Sequence, residues 1–131
     1  MRAYNSQYDP PAPMLEVTVG SIVSSRRWAT VLALLDTGSD ITAIPQKLAD
    51  TLQLYPLSRL RLEDLQSETT LVLTYGVQLT INDLIVSRLE VILTGLDCVV
   101  LGRDVLNRCY VHLDGPDLAF DIYTSASEPR A

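Results

Sequence analysis

Apolar residues recur at every second position over four separate stretches: Leu15, Val17 and Val19; Leu71, Leu73 and Tyr75; Val77, Leu79 and Ile81; and Leu89, Val91 and Leu93. Successive side chains of an extended chain point to opposite faces, whereas a helix repeats about every 3.6 residues, so this alternation commits most of the chain to half-buried β-strands. Two further runs, Trp28 to Leu35 and Cys98 to Leu101, are almost continuously apolar. Short runs of that kind, bounded by Gly or charge, have the pattern of strands buried on both faces. Helix signals are confined to two places. Pro45 suits a first helical turn, and Leu48, Ala49 and Leu52 share a face before Pro56 forbids continuation, which predicts a short helix at about 45–53. A second short helix is expected from Arg103 to Cys109, with Val105, Leu106 and Cys109 on one side.

The chain has 131 residues, 47% of them apolar and 20% charged, which suits one domain around one core. That domain is expected over 14–123. Residues 1–13 and 124–131 are polar, lack a β pattern and are expected to be flexible. The net charge of −6 repels a phosphate backbone and argues against nucleic acid as a partner. Two cysteines and one histidine supply neither a disulfide framework nor a four-ligand zinc site, so no metal or cofactor is expected. Met1 to Pro13 lacks the apolar stretch of a secretory signal, and no apolar run reaches membrane-spanning length. The expectation is a soluble, cytoplasmic protein with no membrane contact.

Chemistry concentrates in Ala33-Leu34-Leu35-Asp36-Thr37-Gly38-Ser39-Asp40-Ile41-Thr42-Ala43-Ile44-Pro45. An acidic residue closing an apolar strand, followed by hydroxyl residues and Gly, sets a carboxylate on a tight turn whose donors can hold it. A weak internal echo appears downstream, where Val100-Leu101-Gly102-Arg103-Asp104 again runs from apolar strand through Gly into a helix signal. Taken alone, an Asp-Thr-Gly-Ser tetrapeptide is more often an ordinary turn that Asp36 and Ser39 simply cap.

Together, Leu34-Leu35-Asp36-Thr37-Gly38-Ser39 and Val99-Val100-Leu101-Gly102-Arg103-Asp104-Val105-Leu106 make the chain resemble the retropepsins, the retroviral-type aspartic proteases and their cellular relatives, over about residues 15–122. The resemblance implies an all-β, closed acid-protease barrel with one or two short helices. It also implies peptide-bond hydrolysis by paired carboxylates. Only one Asp-Thr-Gly occurs, so a homodimer is implied, with Asp36 of each copy meeting at a twofold axis. Two adjacent carboxylates share one proton, and the pair serves as general base and general acid on a bound water.

By the same resemblance, Asp36, Thr37, Gly38 and Ser39 form the catalytic turn, with Thr37 bonding across the dimer and Gly38 admitting substrate backbone; Ser39 departs from relatives with Ala there, and its hydroxyl is expected to donate to Asp36 and stabilise its charged form. Asp40 and Arg103 correspond to an ion pair behind the site. Leu34, Asp40, Ile41, Ala43, Cys98 and Val100 fall at substrate-binding positions, which implies an extended peptide or protein substrate with apolar residues around the cleaved bond. An exposed thiol at Cys98 would be oxidant-sensitive. Leu60 to Tyr75 occupies the place of the flap, its tip at Leu65, Gln66, Ser67 and Glu68, without the glycines of retroviral flaps. His112 and Trp28 read as structural, and Leu118, Phe120 and Ile122 as the last paired strand. Two other readings stay open on the residues alone: a catalytically silent peptide-binding module of the same fold, and a β-barrel dimerisation module.

Overall fold

The computed structural model describes residues 1–124. In chain order its elements are β1 (Arg2–Ala3), β2 (Met14–Ser21), β3 (Trp28–Leu35), β4 (Ala43–Pro45), α1 (Gln46–Thr51), β5 (Pro56–Glu63), β6 (Thr69–Ile81), β7 (Leu84–Thr94), β8 (Val99–Leu101), α2 (Arg103–Leu106), β9 (Tyr110–Asp114) and β10 (Ala119–Tyr123). Strands β2, β3, β8, β4, β7 and β6 bond in that order, and β6 pairs back onto β2. The ring is therefore a closed barrel, with β5 attached outside it along β6.

The alternation explains the closure. Leu15, Val17 and Val19, with Val77, Leu79 and Ile81 and with Leu89 and Val91, all face inward and are almost inaccessible. Polar residues between them face out, so each strand buries one face by curling against the next. Leu48 and Leu52, from α1 and its end, and Val105 and Leu106 of α2 join the same core, as do Phe120 and Ile122 of β10.

Several expectations are corrected here. Trp28 and Leu32 are exposed, so β3 is not buried on both faces along its length; it becomes so only where β8 joins it, at Ala33 to Leu35. Leu71 and Leu73 are also exposed, because that half of β6 leaves the barrel and pairs only with β5. Pro45 caps α1 rather than entering it. The second helix ends at Leu106, where Arg108 and Cys109 donate to carbonyls three residues back and the chain turns into β9.

Residues 1–13, which show no β pattern in sequence, nonetheless carry β1, paired antiparallel with β10. Two residues are too few for periodicity to register; the strand is set by its partner. Tyr4 then packs against Phe120 with ring centroids 6.0 Å apart. β10 is flanked by β9 on its other side, and Leu118 lies in the preceding turn, at φ 48°, rather than in the strand. The tail expected from 124 onward falls, apart from Thr124, outside the described residues. Among the described residues no helix is long and apolar enough to cross a membrane.

Candidate active site

β3 and β8 run parallel and in register, Leu34 beside Val100 and Leu35 beside Leu101. The two echoing segments are thus neighbours, and the loops that follow them emerge at one level. The Asp36 amide donates to the Leu101 carbonyl at 3.0 Å, extending that pairing by one residue. The chain then turns: Ser39 N–H donates to the Asp36 carbonyl at 3.2 Å, and Gly38 N–H donates to Asp36 Oδ1 at 2.9 Å. A Cβ at position 38 would lie 3.2 Å from that same oxygen, so glycine lets the amide come this close. Asp36 is half-buried, with Thr37 and Gly38 exposed beside it. The turn leaves a carboxylate fixed in direction and open to solvent.

Ser39 does not do what its position suggests. Its hydroxyl donates to the Ile41 carbonyl at 3.0 Å. A hydroxyl has one proton to give, so that bond tightens the loop and removes Ser39 as the donor to Asp36. Arg103 and Asp40 do meet, Nη2 to Oδ1 at 3.3 Å, but their side chains are 45% and 89% exposed, respectively. An ion pair so open to water contributes about 0–1 kcal/mol, not the larger value of a buried pair. Arg103 acts instead through the backbone: Nη1 donates to the Thr37 carbonyl at 2.6 Å and its amide to the Ser39 carbonyl at 2.8 Å. One residue of the second loop therefore holds both sides of the Asp36 turn.

The strongest tie between the loops escaped the sequence reading. Thr42 is fully buried. Its amide donates to Asp104 Oδ2 at 3.0 Å, its hydroxyl donates to Asp104 Oδ1 at 2.7 Å, and that hydroxyl accepts from Gly102 N–H at 3.1 Å. A hydroxyl residue between Ile41 and Ala43, in an otherwise apolar stretch, was the available signal. Replacing Thr42 with Val keeps the shape but leaves the Gly102 amide without this acceptor and takes from Asp104 Oδ1 one of its two donors, the other being the Val105 amide at 2.9 Å. The expected cost is about 2–4 kcal/mol, or roughly 10 °C in Tm for a domain of this size. Calorimetric unfolding of Thr42→Val checks it; a loss below about 1 kcal/mol would mean that the hydroxyl network contributes little.

Beside the turn lies a groove of about 410 Å³. Asp40, Ile41 and Asp104 line it from the two loops, Leu60, Arg61 and Leu62 from β5, and Leu89 and Glu90 from β7. Of the residues assigned to substrate binding, Asp40 and Ile41 reach this groove, and Leu34 is half-buried; Ala43, Cys98 and Val100 are packed away, at 8%, 6% and 9% exposure. Leu60, Leu62 and Leu89 are groove residues that the motifs did not point to. The accessible thiol expected at Cys98 is not there. Tyr8 of the N-terminal segment lies against it, and Cys98, with Asp97, holds the Tyr8 hydroxyl above its usual range.

The β5–β6 hairpin turns at residues 64–68, as expected for the flap tip. Its lack of glycine is met by Asp64, whose Oδ1 accepts from the Gln66 and Glu68 amides at 2.9 Å each, and by Ser67 in the left-handed region at φ 63°. An acidic side chain that bonds the backbone two residues on makes a tight turn without glycine. Among the described residues no group of three or more metal-ligating side chains comes together.

A family model described as gag-polyprotein putative aspartyl protease matches residues 28–108, more than half of the chain. No curated protein matches its sequence. Among solved structures, the retropepsin-like aspartic protease from Rickettsia conorii aligns with a TM-score of 0.58 at 17% identity, over 88% of this chain and 86% of that one. The Simian Foamy Virus (mac) protease in solution aligns at 0.55 and 16% identity, over 72% of this chain and 92% of that one. The EIAV protease complexed with the inhibitor HBY-793 gives 0.53 and 16%, over 73% and 86%. At these identities the likeness is one of fold: a closed, all-β, retropepsin-like barrel with short helices.

Proposed function

This chain belongs to the gag-polyprotein putative aspartyl protease family, and from that premise we propose that it is an aspartic endopeptidase, active as a homodimer through the Asp36 carboxylates of two copies. The observation that carries this reading is the Asp36 turn, with its carboxylate aimed by the Gly38 amide at the end of two parallel strands and open to solvent. Residues 14–123 constitute the protease domain. At the twofold axis two such carboxylates cannot both ionise cheaply, so they hold one proton between them. The ionised member takes a proton from a bound water, which attacks the scissile carbonyl. The protonated member donates to the carbonyl oxygen, and the roles reverse as the amine leaves.

Thr37, Gly38 and Ser39 set the turn. The substrate is an extended peptide whose apolar side chains enter the groove of Ile41, Leu60, Leu62 and Leu89, with the flap tip at Leu65 to Glu68 closing over it. Leu34 and Asp40 border the bound backbone. Ala43, Cys98 and Val100 support these contacts from behind, since they are buried.

Subunit mixing tests the two-carboxylate reading. After exchange with an equal amount of Asp36→Asn protein, only about a quarter of the dimers contain two Asp36 residues. Cleavage per wild-type subunit should then fall by about half, and further with excess variant. Activity that stays proportional to the amount of wild-type protein would overturn the shared site.

A further inference from the structure

We propose that the outer face of the barrel carries a binding site for a sugar acid, a pyranose ring bearing a carboxylate, seated between Trp28 and Gln78 with its charge on Arg27. The site lies apart from the catalytic turn. Along β3, Trp28 and Asp36 are separated by roughly 25 Å of extended chain, and the proposal does not rest on the protease reading.

The register brings these residues together. β2 runs between β3 and β6, and the pairing sets Trp28, Gly20 and Gln78 in one row across the three strands, with Thr30, Thr18 and Thr80 in the next. Val17 and Val19 point into the core, so the alternate positions 18 and 20 lie on the outer face. A hollow of about 160 Å³ opens there, with Gly20 in its lining; that is the share of about five liquid waters, which one sugar ring fills. Glycine weakens a strand, and inside one it often marks a place where something approaches the backbone closely. Neither conformation nor space in the fold calls for it here. Its φ is not positive, and a Cβ would meet only ordinary contacts, 3.7 Å from Trp28 Cβ and the Arg27 carbonyl oxygen and 3.9 Å from the Gln78 carbonyl oxygen.

The lining selects the ligand. Trp28, read from the sequence as structural, is 61% exposed. The C–H groups of a sugar ring, made slightly positive by their oxygens, rest on the negative face of such an indole. Around it the Thr18 and Thr80 hydroxyls and the Gln78 amide can each donate and accept, and among the described residues their side chains bond to no other group. Arg27 is half-buried, forms no ion pair among the described residues and is the only charged side chain lining the hollow. The site is therefore positive in a chain of net charge −6, and a guanidinium takes a carboxylate through two parallel hydrogen bonds. An extended peptide fits less well, because β2 is paired on both sides here and has no backbone groups to offer it. A wholly apolar ligand would strip water from the hydroxyls without replacing it.

Trp28 is the only tryptophan of the chain, so its fluorescence reports the site directly. Titration of the full chain with sodium glucuronate should give a saturable change in emission, with a Kd on the order of 1 mM. Glucose, which lacks the carboxylate, and acetate, which lacks the ring, should bind at least about tenfold more weakly. Arg27→Gln should bring glucuronate down to the affinity of glucose. Gly20→Ala should weaken glucuronate about tenfold without lowering Tm, since the added methyl fills the hollow and meets no clash. Tighter binding of a glucuronate oligomer than of the monomer would support a polysaccharide as the source, and equal binding a free sugar acid. The proposal is overturned by the absence of a saturable change with glucuronate, by glucose or acetate binding as tightly, or by an Arg27→Gln or Gly20→Ala protein that binds glucuronate as the wild type does. Peptide cleavage should be the same with and without saturating glucuronate, so failure of this site leaves the proposed function standing, and failure of that function leaves this site.

Discussion

Asp36→Asn is expected to abolish peptide cleavage while leaving the fold in place. Asparagine retains an oxygen at the position where Gly38 N–H donates at 2.9 Å, so the turn keeps its hydrogen bond. It cannot take a proton from water. Loss of a positioned general acid–base group costs about 10²–10⁴-fold in rate, and here both members of the pair are lost at once, which places the variant at or beyond the upper end. Because Asp36 sits on a solvent-facing loop, stability should change by no more than about 0.5 kcal/mol. The check is kcat/KM on an apolar peptide alongside Tm for the same preparation. Wild-type turnover in the variant would end the aspartic protease reading, and a large fall in Tm would mean that Asp36 is a structural cap instead.

Gly102→Ala is expected to damage both stability and activity, for a reason that lies in space rather than in conformational freedom. The glycine adopts φ −88°, which any residue accepts. A Cβ there, however, would lie 2.8 Å from the Ile41 carbonyl carbon, 2.9 Å from the Ser39 carbonyl oxygen and 3.0 Å from the Ile41 amide nitrogen. These are backbone atoms of a loop that Arg103 and the Thr42–Asp104 network hold in place, so they cannot swing aside as a side chain would. Overpacking of this kind costs about 3 kcal/mol, or roughly 10 °C in Tm. The displaced loop carries Asp36, and a misplacement of about 1 Å at reacting groups lowers turnover by about 10²-fold. Gly95→Ala and Gly115→Ala, where an added Cβ meets nothing within 4 Å, serve as controls expected to be near neutral. A Gly102→Ala protein as stable as these controls would show that the two loops are not in rigid contact.

Much of this molecule is written in local order. The alternation of apolar residues in β2, in the inner half of β6 and in β7 is a property of neighbouring residues, and burying one face of each strand leaves few options but a closed β structure. The Asp-Thr-Gly-Ser turn is legible for the same reason: the donor that orients Asp36 comes from Gly38, two positions away. The position of the β5–β6 turn could likewise be read, though not Asp64 as the residue that closes it.

What tertiary structure alone decided depends on which distant segments meet. Leu71 and Leu73 alternate just as Val77 and Leu79 do, yet they are exposed because the barrel ends before reaching them. Thr42 and Asp104 are 62 positions apart and bond only because β3 and β8 run side by side. Ser39 gives its proton to the Ile41 carbonyl, at 3.0 Å, rather than to Asp36, a partner set by how the loop folds back on itself. Alternation tells a residue which face of a strand it occupies, but not whether anything lies against that face; burial and long-range hydrogen bonds follow from the packing partner, which no local pattern encodes.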